Sequence, residues 1–473
     1  REHKMDVLVQ DWNGTSVPSK AYTEGGIHEA IETYEDIIFY ELLAEELGIP
    51  EENRFASWQE LLAKPRMADC AFICTLDDDH TAPAIQAMEL GYHLLLEKPM
   101  SNTEAECRLI ADTAERTGRT LAVCHVLRYT PFYMTLKNLI EEGAIGQVAA
   151  INQIENVGYW HQAHSFVRGN WRTVRETSPM LLQKSCHDMD ILQWLIDSPC
   201  KSVQSFGSLS YFTPENCPDG APDYCIEGCP HGETCYYNAV KLYLDDVENA
   251  WFRETATMLI KPTQEQMAHT LRTTQYGKCV FKCNNDVVDH QVVNLEFENG
   301  AIASFNMSAF NKGGRHIRIM GTKGEIFGDM SRGTIELYRF STREYEMIDP
   351  SERKLSDSIL DGHGGGDGGI VSVLHKYLTE DYDGDLACAW RSDYRRLIAN
   401  LREKYPHAYI LCTTTVMMHS PEWDKAIGEV VAAVADARVR QFRYTGNGAV
   451  TPGHVRRCEA ETMARELANY IGT

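Results

Sequence analysis

Glu97-Lys98-Pro99 follows directly on the apolar run Tyr92 to Leu96. A lysine just past the carboxyl end of a buried parallel strand stands where ligands sit in open α/β sheets, and can give or take a proton at a substrate hydroxyl. The plain alternative is a surface lysine in a turn. A second group is Lys184-Ser185-Cys186-His187-Asp188-Met189-Asp190. Lys184 and His187 are three apart, as are His187 and Asp190, so on a helix the imidazole lies beside ammonium and carboxylate on one face. That is an acid/base cluster or a salt-bridged helix that contains a histidine. Cys225-x3-Cys229-x5-Cys235, with His231 inside it and Cys217 upstream, forms a thiol cluster in a Pro/Gly-rich loop. Three thiolates and an imidazole could close a tetrahedral zinc site, although the Cys-x2-Cys pairs of established zinc motifs are missing. Reduced structural thiols or a disulfide formed on purification are the alternatives. His161 and His164, near Trp160 and Trp171, carry imidazole and aromatic surface that suits a sugar, and core packing explains the tryptophans equally well.

Positioning these groups requires an alternating scaffold. Met5 to Val9 is strand-like, Asp11 to Gly26 a polar loop and Ile27 to Leu47 one long helical stretch. Ala71 to Thr75, Tyr92 to Leu96 and Thr120 to His125 read as buried parallel strands, each followed by a helix: His80 to Leu90, Asn102 to Thr117 with an Asn cap, and one ending at Ile140. The alternation predicts a doubly wound, Rossmann-like parallel sheet over residues 1–145. Past Gly146 the period changes to two, with strands at Val148 to Asn156, Val203 to Phe212, Asp289 to Phe297, Ala301 to Ala309, His316 to Met320 and Glu325 to Phe327. Residues 146–383 are therefore an α+β domain on a large, mainly antiparallel open sheet, crossed by one helix from Met180 to Leu195, whose sheet could support a homo-oligomer. Residues 384–473 form a short α/β segment with helices at Arg391 to Lys404, Trp423 to Ala437 and Glu459 to Ile471 and a strand at Ala408 to Thr413.

Composition narrows the partners. The 473 residues include 45 Lys and Arg against 68 Asp and Glu, a net charge of −23. Such a surface repels nucleic acid and anionic membranes, and no run approaches a membrane span, so a small molecule is the expected partner. The N-terminus, Arg1-Glu2-His3-Lys4-Met5, has no apolar stretch of a signal peptide and suggests a trimmed chain. Fifteen cysteines, most of them single in apolar stretches, suit reduced thiols and a cytoplasmic location.

As an ordered set, several segments resemble the glucose-fructose oxidoreductase/inositol dehydrogenase (Gfo/Idh/MocA) family. They are Ile73-Cys74-Thr75 with Asp79-His80, Gly91 to Pro99, Cys124-His125-Val126-Leu127-Arg128-Tyr129, the helix with His187 and Asp190, and Met320-Gly321-Thr322-Lys323-Gly324-Glu325. The resemblance covers about residues 41–380. It implies an NAD(P)-dependent hydride transfer on a sugar or cyclitol, with Lys98 as catalytic lysine, His187 as its partner, and Lys184 and Asp188 beside them. Thr75, His80, Glu97, Lys98 and Arg128 would lie on the cofactor side. Tyr159, His161, His164, Trp171, Asp190 and His363 would lie on the substrate side. Two departures stand out. The family commonly has an aspartate four residues before the histidine, where this chain has Gln183, and no Gly-x-Gly-x-x-Gly cradle for the cofactor's phosphates occurs in residues 1–60.

Gly362-His363-Gly364-Gly365-Gly366-Asp367 is similar to a glycine-histidine loop of NAD-dependent glycosidases related to this family, so a glycoside or ester hydrolase, with or without NAD, is the second expectation; a flexible linker is the alternative for the loop itself. The segments Arg391 to Cys412 and Gly446 to His454 resemble the C-terminal part of SGNH/GDSL carbohydrate esterases, with His454 in the place of the catalytic base. The Gly-Asp-Ser nucleophile block is absent, so a remnant is expected, and a catalytically silent fusion is the third expectation.

Overall fold

In the computed structural model, the structure describes residues 7–9, 49–246, 250–259, 261–353 and 362–379, and, further on, 395, 398, 402, 409–412 and 421–442. The chain divides into two compact units, one of residues 5–374 and one of residues 375–473 with residues 1–4.

The larger unit opens with a four-stranded parallel sheet: β1 (Val7–Val9), β2 (Cys70–Ile73), β3 (His93–Leu96) and β4 (Leu121–Val123), in that spatial order. Cys70, Ala71 and Ile73 of β2 and Leu94 to Leu96 of β3 are buried, as continuous apolar runs covered on both faces must be. Three helices follow their strands: α1 (Thr81–Glu89), α2 (Glu104–Thr117) and α3 (Pro131–Glu141). The cap of α2 is Thr103, whose hydroxyl accepts from the Glu106 N–H, one residue on from the expected Asn102. Gly118, in the left-handed region, ends that helix. Thr130 caps α3 with Pro131 in its first turn. The expected helix over 27–47 lies outside the described residues.

An eight-stranded sheet follows: β5 (Val148–Asn156), β6 (Cys200–Ser208), β7 (His290–Phe297), β8 (Ile302–Ser308), β9 (Gly314–Gly321), β10 (Gly324–Asp329), β11 (Thr334–Arg339) and β12 (Glu344–Ile348). The spatial order is β12-β11-β10-β9-β5-β8-β7-β6, and every pair is antiparallel except β5 with β8. One face carries Ile151, Val293, Phe305, Ile317, Ile319, Ile326, Ile335 and Leu337 into a core shared with Phe132, Tyr133 and Leu136 of α3. Ile191, Leu192 and Leu195 close the same core from the region expected as one helix over 180–195. That region is broken. α4 (Met180–Gln183) stops, Ser185 leaves helical geometry, and α5 (Cys186–Ile196) starts anew.

The glycine-rich stretch opens α6 (Gly362–Thr379): His363, Gly364 and Gly365 lie at positive φ, outside right-handed helical geometry, and Gly366 to Gly369 continue into the regular helix. In the smaller unit, β13 (Ile410–Cys412) pairs in parallel with β14 (Val439–Gln441) through α7 (Pro421–Val434), around Ile398, Ile427, Val430 and Val439. Among the described residues no helix is long and apolar enough to cross a membrane.

Candidate active site

Ile73 pairs with Leu96, and Leu96 with Val123, so the loops after β2, β3 and β4 leave the parallel sheet at one edge. His80 is buried there. Its two ring nitrogens lie 2.9 Å from the Pro99 carbonyl and 2.8 Å from the Thr75 carbonyl, which ties the loop after β2 to the loop after β3. The Thr75 hydroxyl donates to the Asp79 carbonyl at 3.2 Å. Lys98 sits between these braces, its backbone N–H donating to Glu97 Oε2 at 3.0 Å.

α5 brings His187 to the same place. The imidazole is buried and its Nδ1 has no hydrogen-bond partner. Burial, reinforced by the positive charges of Lys98, Arg315, His363 and Lys184, holds it well below the usual histidine range, so the ring is neutral. The His363 ring lies 6.0 Å away, and its Nδ1 is 3.0 Å from both oxygens of Asp367. The left-handed start of α6 is what aims His363 here, while Gly366 and Gly369 let the helix lie against the Val126 and Tyr129 carbonyls.

Under His187 lies a buried network of four charges. Arg315 Nε is 3.0 Å from Asp188 Oδ1 and 2.8 Å from Glu155 Oε2, and Lys184 Nζ is 3.4 Å from Glu155 Oε1. Gln153 Nε2 donates to Asp188 Oδ1 at 2.6 Å. Burial pushes the Glu155 carboxyl up and the Lys184 ammonium down, and each is opposed by its partners' charges. Two acids against two bases leave the floor of the site neutral. Glu155 and Arg315 were not singled out from the sequence. The available signal was alternation: Ile151, Gln153 and Glu155 share the buried face of β5, and a carboxylate there needs a partner.

The remaining expected residues divide. Asp190 faces His125 Nδ1 at 3.1 Å and Arg128 at 2.5 and 2.7 Å, and Arg128 also covers the Trp194 ring, so both side chains are engaged internally. His161 stacks on Trp160 at 5.4 Å and meets the Trp251 ring edge-on, and burial with the Lys184 charge keeps it well below the histidine range. His164 belongs to a separate core: its Nδ1 is 2.8 Å from the Tyr243 hydroxyl, its ring stacks on Phe252, and burial with the Arg168 charge pushes it down to about 3. Tyr159 is partly exposed against Tyr237. The Gln183 amide satisfies its surroundings in one orientation, with the nitrogen 3.0 Å from Ser178 Oγ and 2.7 Å from Asp77 Oδ2 and the oxygen accepting from Trp171 Nε1.

The family description "Oxidoreductase family, C-terminal alpha/beta domain" matches residues 137–408, and "Oxidoreductase family, NAD-binding Rossmann fold" matches residues 27–125. The chain belongs to the Gfo/Idh/MocA oxidoreductase family. It is 25% identical over 326 residues to the putative oxidoreductase YteT of Bacillus subtilis, covering 66% of this chain and 73% of that protein. It is 28% identical over 134 residues to the Glycosyl hydrolase family 109 protein 2 of Bacteroides fragilis (27% of this chain, 31% of that protein). It is 25% identical over 148 residues to an inositol 2-dehydrogenase of Salmonella paratyphi B (31% and 40%). The chain thus spans less than half the length of the last two. Levoglucosan dehydrogenase in complex with NADH and levoglucosan has the same fold, with a TM-score of 0.50 at 19% identity over 72% of this chain and 76% of that one. An NAD binding oxidoreductase from Klebsiella pneumoniae gives 0.50 at 18% over 73% and 78%.

Membership in this family does not rescue the zinc expectation, which the structure corrects. Among the described residues no group of three or more His, Cys, Asp or Glu side chains is placed to hold a metal ion. Cys225, Cys229, Cys235 and His231 line a small depression with Arg168, but His231 Nε2 is used by the Asp219 carbonyl at 2.8 Å, and burial raises the Cys235 thiol, opposing the thiolate that zinc requires. The expected base His454 lies outside the described residues.

Proposed function

We propose that this protein is an NAD(P)-dependent oxidoreductase that removes hydride from a hydroxyl-bearing carbon of a sugar or cyclitol. One observation carries the reading: the charge of Lys98, at the carboxyl edge of the parallel sheet, bears on a buried neutral His187 whose Nδ1 has no partner. The same edge suits the cofactor, because Thr81 Oγ1 and Asn102 Oδ1, at the starts of the segments after β2 and β3, are also buried without partners. Thr75, Glu97 and Lys98 would line the cofactor, with His80 and Arg128 bracing the loops that hold it. Bound NAD(P) supplies the hydride acceptor. Lys98, in its amine form, takes the proton of the reacting hydroxyl, His187 holds that hydroxyl by a hydrogen bond, and Lys184 and Asp188, locked with Glu155 and Arg315, keep α5 in register with the strand end. The proposal extends to a cytoplasmic homo-oligomer formed through the open sheet, whose edge strand β6 leaves Val203 and Phe206 exposed.

Calorimetric titration with NAD and NADP, followed by turnover of levoglucosan and myo-inositol, tests this reading. Absence of dinucleotide binding at millimolar concentration would sink it. A second reading, glycoside hydrolysis on the same scaffold, is favoured by the His363–Asp367 pair beside His187 and by the family 109 relatives. Aryl glycoside turnover that survives Lys98→Ala would select it.

A further inference from the structure

Asp77 is a buried carboxylate that the reaction above does not use. It lies in the loop after β2, only 4% exposed, and burial raises its carboxyl above the usual range against the charges of His80 and Lys98. Its Oδ2 accepts from the Gln183 amide at 2.7 Å. Gln183 is the last residue of α4 and stands four residues before His187, across the break at Ser185. The other contacts of that amide, Ser178 and Trp171, belong to the same side of the site as His187. Asp77 belongs to the side of Lys98, since β2 and β3 are neighbours and their ends are level. A break in a helix leaves its next turn free to shift unless something holds the preceding one; Met180 anchors this turn in the core and Lys184 pairs with Glu155, while Asp77, Ser178 and Trp171 hold its last residue, Gln183.

We propose that Asp77 is a positioning residue of the active site: by clasping Gln183 it fixes the start of the helix bearing His187 against the strand end bearing Lys98. The inference rests on the reading of Lys98 and His187 as the acid/base pair. Its consequence is a specific division of labour. Asp77 acts through Gln183: it sets the distance over which Lys98 and His187 share one hydroxyl, so its loss lowers kcat and leaves KM nearly unchanged.

The test uses the full chain with Asp77→Ala, Gln183→Ala, the double variant and Asp77→Asn, which retains an acceptor oxygen. Two quantities are measured: the unfolding midpoint without cofactor, and kcat and KM with NAD on levoglucosan or myo-inositol. Removing a hydrogen bond to a charged group predicts a loss of about tenfold or more in kcat for either alanine variant. The double variant is expected to lose no more than the worse single one, in rate and in midpoint, and Asp77→Asn to recover to within about threefold of the unaltered protein. Losses that multiply in the double variant, or a kcat untouched by Asp77→Ala, overturn the proposal, as does an asparagine variant no better than the alanine one. If neither probe is turned over by the unaltered protein, the reaction assigned above fails. The midpoints then still decide whether the clasp exists: coupled losses support it and additive losses overturn it.

Discussion

Arg128 holds both carboxylate oxygens of Asp190, with Nε 2.7 Å from one and Nη2 2.5 Å from the other. The two residues come from different parts of the chain, the loop after β4 and helix α5, so this fork joins the parallel-sheet side of the site to the side carrying His187. His125 adds a third contact to the same carboxylate at 3.1 Å. Burial opposes the charged imidazole, but the hydrogen bonds and charges of Asp190 and Cys186 outweigh it and push His125 up to about 9.

That value makes a pH prediction with a defined sign. His125 has a higher pKa folded than unfolded, so its stabilisation is complete below its unfolded value of about 6.5 and is lost as pH rises through about 9. Asp190 is shifted the other way: burial opposes the charge, but bonds from His125 and Arg128 prevail and lower it, so its contribution is present above the unfolded carboxylate value and is lost in acid. Urea unfolding at pH 6 and pH 9.5 should show a loss on the order of 2–3 kcal/mol at the higher pH. Asp190→Asn should remove most of that difference; an unchanged pH slope in the variant would show that His125 titrates elsewhere.

Replacing Lys98 separates chemistry from binding. Lys98→Met should lower kcat by roughly 10²–10⁴, the usual weight of a general acid/base, a loss much larger than the weakening of NAD binding measured by calorimetry. His187 makes a different mark. Burial and the surrounding cations keep its folded pKa depressed, so the unfolded state binds a proton first and stability falls as pH drops below about 6.5. His187→Asn should lessen that acid slope in a thermal melt, leaving the part due to buried His161 and His164. A slope equally steep in the variant would mean that the ring is already charged in the folded protein.

The thiol lobe predicts indifference to metal removal. Cys279, beside Cys225 in this lobe, is pushed up to about 12, first by burial and then by neighbouring thiols, against a backbone hydrogen bond. Such thiols stay protonated, and a chelator should leave the unfolding midpoint of protein purified under reducing conditions unchanged. Stoichiometric zinc in elemental analysis, released together with a fall in the midpoint, would show that the thiols do hold a metal.

The parallel sheet was legible because period and burial agree: Leu94 to Leu96 and Cys70 to Ile73 are runs that only a strand covered on both faces explains. Lys98 and His187 could be picked out by type and position. The partners could not. Arg315 reaches Asp188 over 127 positions and Arg128 reaches Asp190 over 62, and no local spacing encodes such pairs. The helix over 180–195 looked continuous because its apolar period continues through the break at Ser185. His164 read as a pocket residue because its neighbour Tyr243, which makes it a core residue, lies 79 positions away. The glycine run leaves a glycine-histidine loop and a flexible linker both open from sequence; that its small residues serve close packing depends on the Val126 and Tyr129 carbonyls, far away in the chain.

That packing supplies the last prediction. A Cβ on Gly369 would sit 2.8 Å from the Tyr129 carbonyl oxygen, and one on Gly366 would fall inside contact distance of the Val126 carbonyl. Both obstacles are backbone, so neither can swing aside, and the helix itself must retreat. In an ordinary helix Gly→Ala stabilises through the higher helix propensity of alanine, by up to about 1 kcal/mol. Here overpacking should win by roughly 1–3 kcal/mol. Gly366→Ala and Gly369→Ala are therefore each expected to lower the unfolding midpoint. They should also lower turnover, because α6 carries His363 to within 6.0 Å of His187 and a helix pushed outward withdraws it. A midpoint that rises in both variants would mean that α6 does not rest on the 126–129 turn.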